Sequence, residues 1–229
     1  MAASHHKRGD SHRSNRSNRY SESKSTNLGS YEPFGSEAWN FHPKHKPTVE
    51  IEAGDENTLL IYEKRLHPDF TRPYTAADVG AILNRMPRRA LVGLRRVNLL
   101  GGTSKQEQVR FGPRFVFGSY SHDTIYLYAF PLRLMSRWVR RLPQPHILQE
   151  YTRVGARFQT CGSGWRITFD RDSLRRFYLC DVLVHEVGHH LDRLSLPKDV
   201  KTEERFAKFF VSQYIGSAVA ALKGHERPG

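Results

Sequence analysis

The chain has 229 residues, with 36 Lys and Arg against 23 Asp and Glu, and a formal net charge of +13. A hydrophobic share of 38% is enough for one core, but no apolar run reaches the ~18 residues needed to cross a bilayer. Its two cysteines, Cys161 and Cys180, form no C-x-x-C pair and exclude a disulfide scaffold; with no apolar leader at the N-terminus, a reduced, cytoplasmic protein is expected.

Residues 1–50 read as a basic Ser/Arg/His-rich tail. The stretch "SHHKRGDSHRSNRSNRYSESKSTNLGS" has almost nothing apolar to bury, so it cannot offset the entropy of ordering itself and is expected to be disordered. Residues 51–229 are left to fold as one domain.

Within that domain, "YTAADVGAILNRMPRR" predicts a helix. Thr75 serves as N-cap with Asp78 three residues on, Val79, Ile82 and Leu83 form one apolar face, and Pro87 stops it. "LRRVNLLGG" predicts a strand through Val97, Leu99 and Leu100 that runs into two glycines. "RFVFGSYSHDTIYLYAF", ended by Pro131, is the strongest β signal. Ile125, Leu127 and Ala129 alternate there with Tyr126, Tyr128 and Phe130, and the aromatic strand 124–130 is a candidate to take an extended substrate by strand addition. "LQEYTRVGARFQTCGSGWRITFD" reads as a hairpin turning between Cys161 and Gly164. Asp172 is the expected cap of a helix "SLRRFYLCDVLVHEVGHHLDRL" that continues to Pro197, and a last helix is expected from Asp199 or Thr202 to Gly224. This order, without regular βαβ alternation or repeats, gives an α+β domain.

The charge is uneven. Residues 85–157 hold 14 Lys and Arg against 3 Asp and Glu, with arginine pairs at Arg88-Arg89, Arg95-Arg96 and Arg140-Arg141. A surface of this kind suits an acidic or nucleic-acid-associated partner.

The chemistry sits in "DVLVHEVGHHLDRL". His185 and His189 are four apart, so on a helix they lie about 40° from each other and both imidazoles reach one cation. Glu186 projects beside that cation, where it can hold a water. This is the H-E-x-x-H arrangement of two zinc ligands and a general base. Leu179, Val182, Leu183, Val187 and Leu191 surround it with apolar positions, and burying two histidines and a glutamate without a partner is costly. Gly188, a poor helix former, leaves room for another segment to pack close. His190 is rotated about 100° from His189 and is not expected to ligate. Catalytic zinc takes a third protein ligand. Gly and His at 192 and 195 would mark a metzincin, but the chain has Asp192 and Ser195; His225 falls outside the predicted helices. Glu203 and Glu204 in "KTEERFAKFF" are the candidates.

"HEVGHHLD" followed by "EERFAKFF" resembles the gluzincin metallopeptidases. It is most similar to the compact members, the ImmA-like peptidases and the catalytic domain of anthrax lethal factor and its relatives. The resemblance spans residues 75–215 and is specific at the two ligand helices. It implies a small zincin-like fold, with a short mixed sheet packed on an active-site helix and a following ligand helix. It also implies Zn²⁺ held by His185, His189 and Glu204, with Glu203 as the neighbouring alternative, and Glu186 as general base in peptide-bond hydrolysis. Lys208 departs from the pattern, standing where lethal-factor relatives carry an acid, so Asp192 or Asp181 is left to orient a ligand histidine. Tyr120, His122 and Tyr214 are the candidate oxyanion donors. The competing expectation is a basic nucleic-acid-binding protein with a structural or vestigial zinc site.

Overall fold

The computed structural model describes residues 46–52, 58–102, 117–142, 144–193 and 200–224. The tail up to residue 45, the predicted helix end at Pro197 and His225 lie outside the described residues. Strand β1 begins at Val49, two residues ahead of Ile51.

The domain is α+β. A five-stranded mixed sheet runs in the order β1 (Val49–Glu52), β2 (Thr58–Glu63), β4 (Arg96–Leu99), β6 (Thr124–Leu127), β5 (Gly118–Ser121). β1 and β5 pair antiparallel to their neighbours, whereas β2, β4 and β6 are mutually parallel. β6 is buried at every position and β4 at all but its first residue, with the polar Asn98 and Thr124 buried among the apolar side chains. Two smaller ladders complete the strands. β3 (Phe70–Thr71) pairs with β7 (Phe130–Pro131), and β8 (Ser136–Val139), β10 (Gly164–Thr168) and β9 (Arg157–Cys161) form a three-stranded sheet in that order.

Helix α1 (Ala76–Leu83) has the expected Thr75/Asp78 capping box. It connects β2 to the parallel β4, so one βαβ crossover is present where no such alternation was expected. Three further expectations need correction. The aromatic β segment is a hairpin rather than one strand: His122 and Asp123 both adopt positive φ, at 47° and 60°, as a two-residue turn between right-twisted strands requires. Residues 148–153, read with the following hairpin, instead belong to helix α2 (Pro145–Arg153), which has Pro145 at its first position. The cap of the next helix is Asp170, not Asp172. Its side chain accepts from the Ser173 amide at 2.7 Å while the Ser173 hydroxyl accepts from the Asp170 amide at 2.9 Å.

That helix, α3 (Arg171–Arg176), passes through a buried π-helical stretch (Phe177–Val182) into α4 (Leu183–Arg193). The π turn packs in an aromatic cluster in which Phe117, Tyr151 and Phe169 meet Phe177. The widened turn sets the angular position of everything after it, His185 included. The last helix, α5, is described over Val200–Gly224, within the stretch its sequence suggested, and packs along α4. Among the described residues, no helix is long and apolar enough to cross a membrane.

Candidate metal centre

α4 meets α5 at Gly188, where an added Cβ would stand 2.8 Å from the Ala207 Cα. Ala207 lies one turn beyond Glu204, so this approach brings the Glu204 carboxylate under the two histidines. The His185 and His189 Nε2 atoms are 3.1 Å apart, with the rings nearly perpendicular at 84°. Glu204 Oε2 is 3.5 Å from His185 Nε2, and Oε1 is 3.3 Å from His189 Nε2. These three residues form the group of potential ligands, all atoms lying within 4.8 Å of one another; Glu203, half-buried on the next helical position, is outside it.

The donor group suits a small tetrahedral cation. Zinc bonds of about 2.05 Å at the tetrahedral angle place two ligand atoms about 3.3 Å apart; the two Nε2 atoms are 3.1 Å apart, and each lies 3.3–3.5 Å from a different oxygen of the Glu204 carboxylate. Two imidazoles and one carboxylate are a borderline donor set that suits zinc. The side chains of His185, His189 and Glu204 are 12%, 15% and 8% exposed, so solvent reaches the site from the histidine side.

Electrostatics around the triangle are governed by burial. Desolvation raises the Glu186 carboxyl above its ordinary range, the Glu204 charge adds to this, and the two imidazoles oppose it. Burial alone would lower His189, but the Glu204 hydrogen bond and the Glu186 and Glu204 charges more than reverse that, leaving it above its usual value. Glu186 and His189 thus both hold their protons more tightly than usual, at a place where a cation's charge can stand.

Glu186 lies on another side of α4, against β5. A Cβ at Gly118 would come within 2.9 Å of Glu186 Oε1 and 2.7 Å of Val182 Cγ1. One residue pair further along both elements, Tyr120 meets His190: the His190 Nδ1 and the Tyr120 hydroxyl are 3.1 Å apart, and the His190 Nε2–H donates to the Val92 carbonyl at 2.9 Å. Two strand residues advance ~6.8 Å and four helical residues ~6 Å, so Gly118 and Tyr120 match Glu186 and His190 in step. The Nε2 donor role leaves Nδ1 as acceptor from the tyrosine. His190, lowered by its burial, is thus held between Val92 and Tyr120 and stands outside the donor group.

The oxyanion candidates fare unequally. The Tyr120 hydroxyl is committed to His190, to Arg193 at 2.8 Å and to Asp123 at 3.4 Å. His122 sits in the hairpin turn with its Nδ1 2.7 Å from the Ser121 hydroxyl. Tyr214, ten residues along α5 from Glu204, is displaced about 15 Å down the helix; it stacks on Phe210 beside Ile82 and Met86 and does not join the site.

Lys208 pairs with Glu150 at 3.6 Å. Asp181, one helical step of four before His185, pairs with Arg153; burial raises its carboxyl to about 6 against the Arg153 charge. Asp192 is buried as well. Arg153 was not singled out from sequence, because the Arg153–Asp181 contact spans 28 residues and leaves no local mark; Gly118, inside a strand pattern in "GSY", carries the signature of close approach.

No family model, no curated protein and no solved structure matches the chain.

Proposed function

We propose that the chain is a zinc-dependent metallopeptidase of the small gluzincin kind, with a zincin-like domain organised around α4 and α5. The observation that carries this reading is the convergence of His185, His189 and Glu204, with the two Nε2 atoms 3.1 Å apart and each within 3.5 Å of a Glu204 oxygen. Zinc bound there supplies Lewis acidity, polarising a water and lowering its pKa towards ~7. Glu186 takes the proton of that water as it adds to the peptide carbonyl, then returns it to the leaving nitrogen as the C–N bond breaks. Its raised carboxyl suits both halves of that transfer, because a base poised nearer neutrality gives its proton back readily.

The substrate strand is assigned to β5 rather than to residues 124–130. β6 is paired on both sides, with β4 and with β5, and has no free edge, while β5 is the outermost strand of the five. A peptide added along β5 would run past Gly118, on which Glu186 rests.

Metal content per chain, measured by plasma mass spectrometry on protein purified without chelators, tests the reading. Near-stoichiometric zinc is expected in wild type, Glu203→Ala and Glu186→Gln, with loss in Glu204→Ala. Glu186→Gln should retain metal while turnover of a peptide library falls by ~10²-fold or more. Wild type without zinc would overturn the proposal.

A further inference from the structure

The fold gathers arginines at the end of the domain where β4 begins. Between Asp78 and Glu150 the chain has only two acidic residues, Glu107 and Asp123, and 13 of the 14 cationic residues in 85–157 are arginine. The short 3₁₀ turn at Arg88–Ala90 leads to Val92, whose carbonyl takes the His190 proton, and the Arg95 and Arg96 amides both donate to the Asp123 carbonyl, at 2.9 and 3.2 Å. The Asp123 side chain in turn holds Arg193 at the end of α4, at 2.5 Å. Arg85, Arg88, Arg89, Arg95 and Arg193 are exposed and Arg96 is half-exposed. Among the described residues no carboxylate pairs with Arg85, Arg88, Arg89, Arg95 or Arg96.

A merely solvated basic face has no need of arginine over lysine, and its charges are usually interspersed with acids. Here arginine stands almost alone, and its planar fork is matched to phosphate oxygens in two-point contact. We infer that this face binds the phosphate backbone of nucleic acid. The partner is a nucleic acid rather than an acidic protein because guanidinium–phosphate contacts need neither a sequence code nor a shaped groove, and the face consists of side chains from turns and strand starts. The surface stands independently of the metal reading, although Val92 and Arg193 tie it to the same helix.

The test is fluorescence anisotropy of a labelled duplex of about 20 base pairs with the full chain, over a range of salt. Wild type should bind at ~100 mM salt with Kd below ~10 µM, and log Kobs should fall linearly with log salt. Replacing Arg88, Arg89 and Arg95 with Ala should weaken binding at least tenfold and flatten that slope by about 2 to 3, one phosphate contact per arginine. A control removes the same charge elsewhere, with Ala at the exposed Arg157, Arg166 and Arg171, and should change affinity less than threefold. Zinc content of both triple variants should equal that of wild type, so loss of binding is separable from failure of the metal centre. Equal weakening by the two sets would reduce the effect to net charge, and displacement of the duplex by polyglutamate at matched charge would assign the face to acidic protein. Either result overturns the inference, as does absence of binding by wild type.

Discussion

Gly188→Ala puts the helix contact beneath the site to a quantitative test. Its Cβ would lie 2.8 Å from the Ala207 Cα and 3.2 Å from the Phe210 Cβ. Carbon atoms settle near 3.5 Å or beyond, so α4 and α5 would have to separate by roughly 0.7 Å. The new residue gains about 1 kcal/mol of helix propensity. Overpacking a tight interface costs about 1–3 kcal/mol, and the obstructing atom is backbone, which cannot swing aside. The net is a loss of about 1 kcal/mol, which in a chain of this size lowers Tm by about 2–4 °C. The effect on the site should be larger than that on stability. Ligand distances tolerate about ±0.2 Å, and the two edges that cross between the helices, 3.5 and 3.3 Å, would open by more than this. Zinc affinity, measured against a chromophoric chelator, should fall by at least tenfold, with the fold retained by circular dichroism. A variant that melts above wild type and holds zinc as tightly would refute the idea that this glycine sets the ligand spacing.

Gly118→Ala should leave zinc bound but displace the Glu186 carboxylate, cutting peptide turnover at least tenfold; unchanged turnover would remove the β5 contact from the account. His190→Phe removes the hydrogen bonds to the partly exposed Val92 carbonyl and Tyr120 hydroxyl, at a cost of about 0.5–1.5 kcal/mol in urea unfolding. A midpoint equal to that of wild type would show the clamp adds nothing. Asp181 makes stability depend on pH. Its carboxyl lies at about 6 in the fold against an ordinary 3.8, so the folded chain holds that proton more tightly and stability falls as pH rises from about 4 to about 6, by on the order of 3 kcal/mol. Asp181→Asn should lose that fall in melts taken across the window, and parallel curves for the two proteins would count against it.

What the sequence conveyed and what it concealed divide along physical lines. Signals confined to a few neighbouring residues came through: the Thr75/Asp78 box, the glycine turn at Gly162 and the histidine face of α4. Glu203 and Glu204 are adjacent, and only the tilt of α5 against Gly188 selects between them for the donor triangle. The π turn left no trace in the apolar pattern because all six of its residues are buried, so no polar face marks the change of period. α2 was concealed by β-favouring Tyr151 and Thr152, whose helical state depends on Tyr151 packing against Phe169 and Phe177. The hairpin at His122 and Asp123 was hidden by non-glycine residues in left-handed conformation, which sequence patterns ordinarily assign to Asn or Gly.

The way α4 spends its faces bears on whether its histidines are incidental. His185, Gly188 and His189 fall within about 100° of helical arc and turn towards α5, whereas Glu186 and His190, about 100° and 140° round from His185, turn towards β5 and Val92. On each side the partner is cut to fit: Ala207 and Glu204 opposite the first group, Gly118 and Tyr120 opposite the second. Glycine is destabilising in the middle of a helix and of a strand, yet one stands at each interface where the close approach occurs. A helix that merely carried histidines would gain by replacing both with alanine and by turning His185 and His189 outward to water, since gathering them with two buried carboxylates has a desolvation cost. A cation held among these groups would offset that cost, and this, more than the H-E-x-x-H spacing, is what supports the proposal of a metal there.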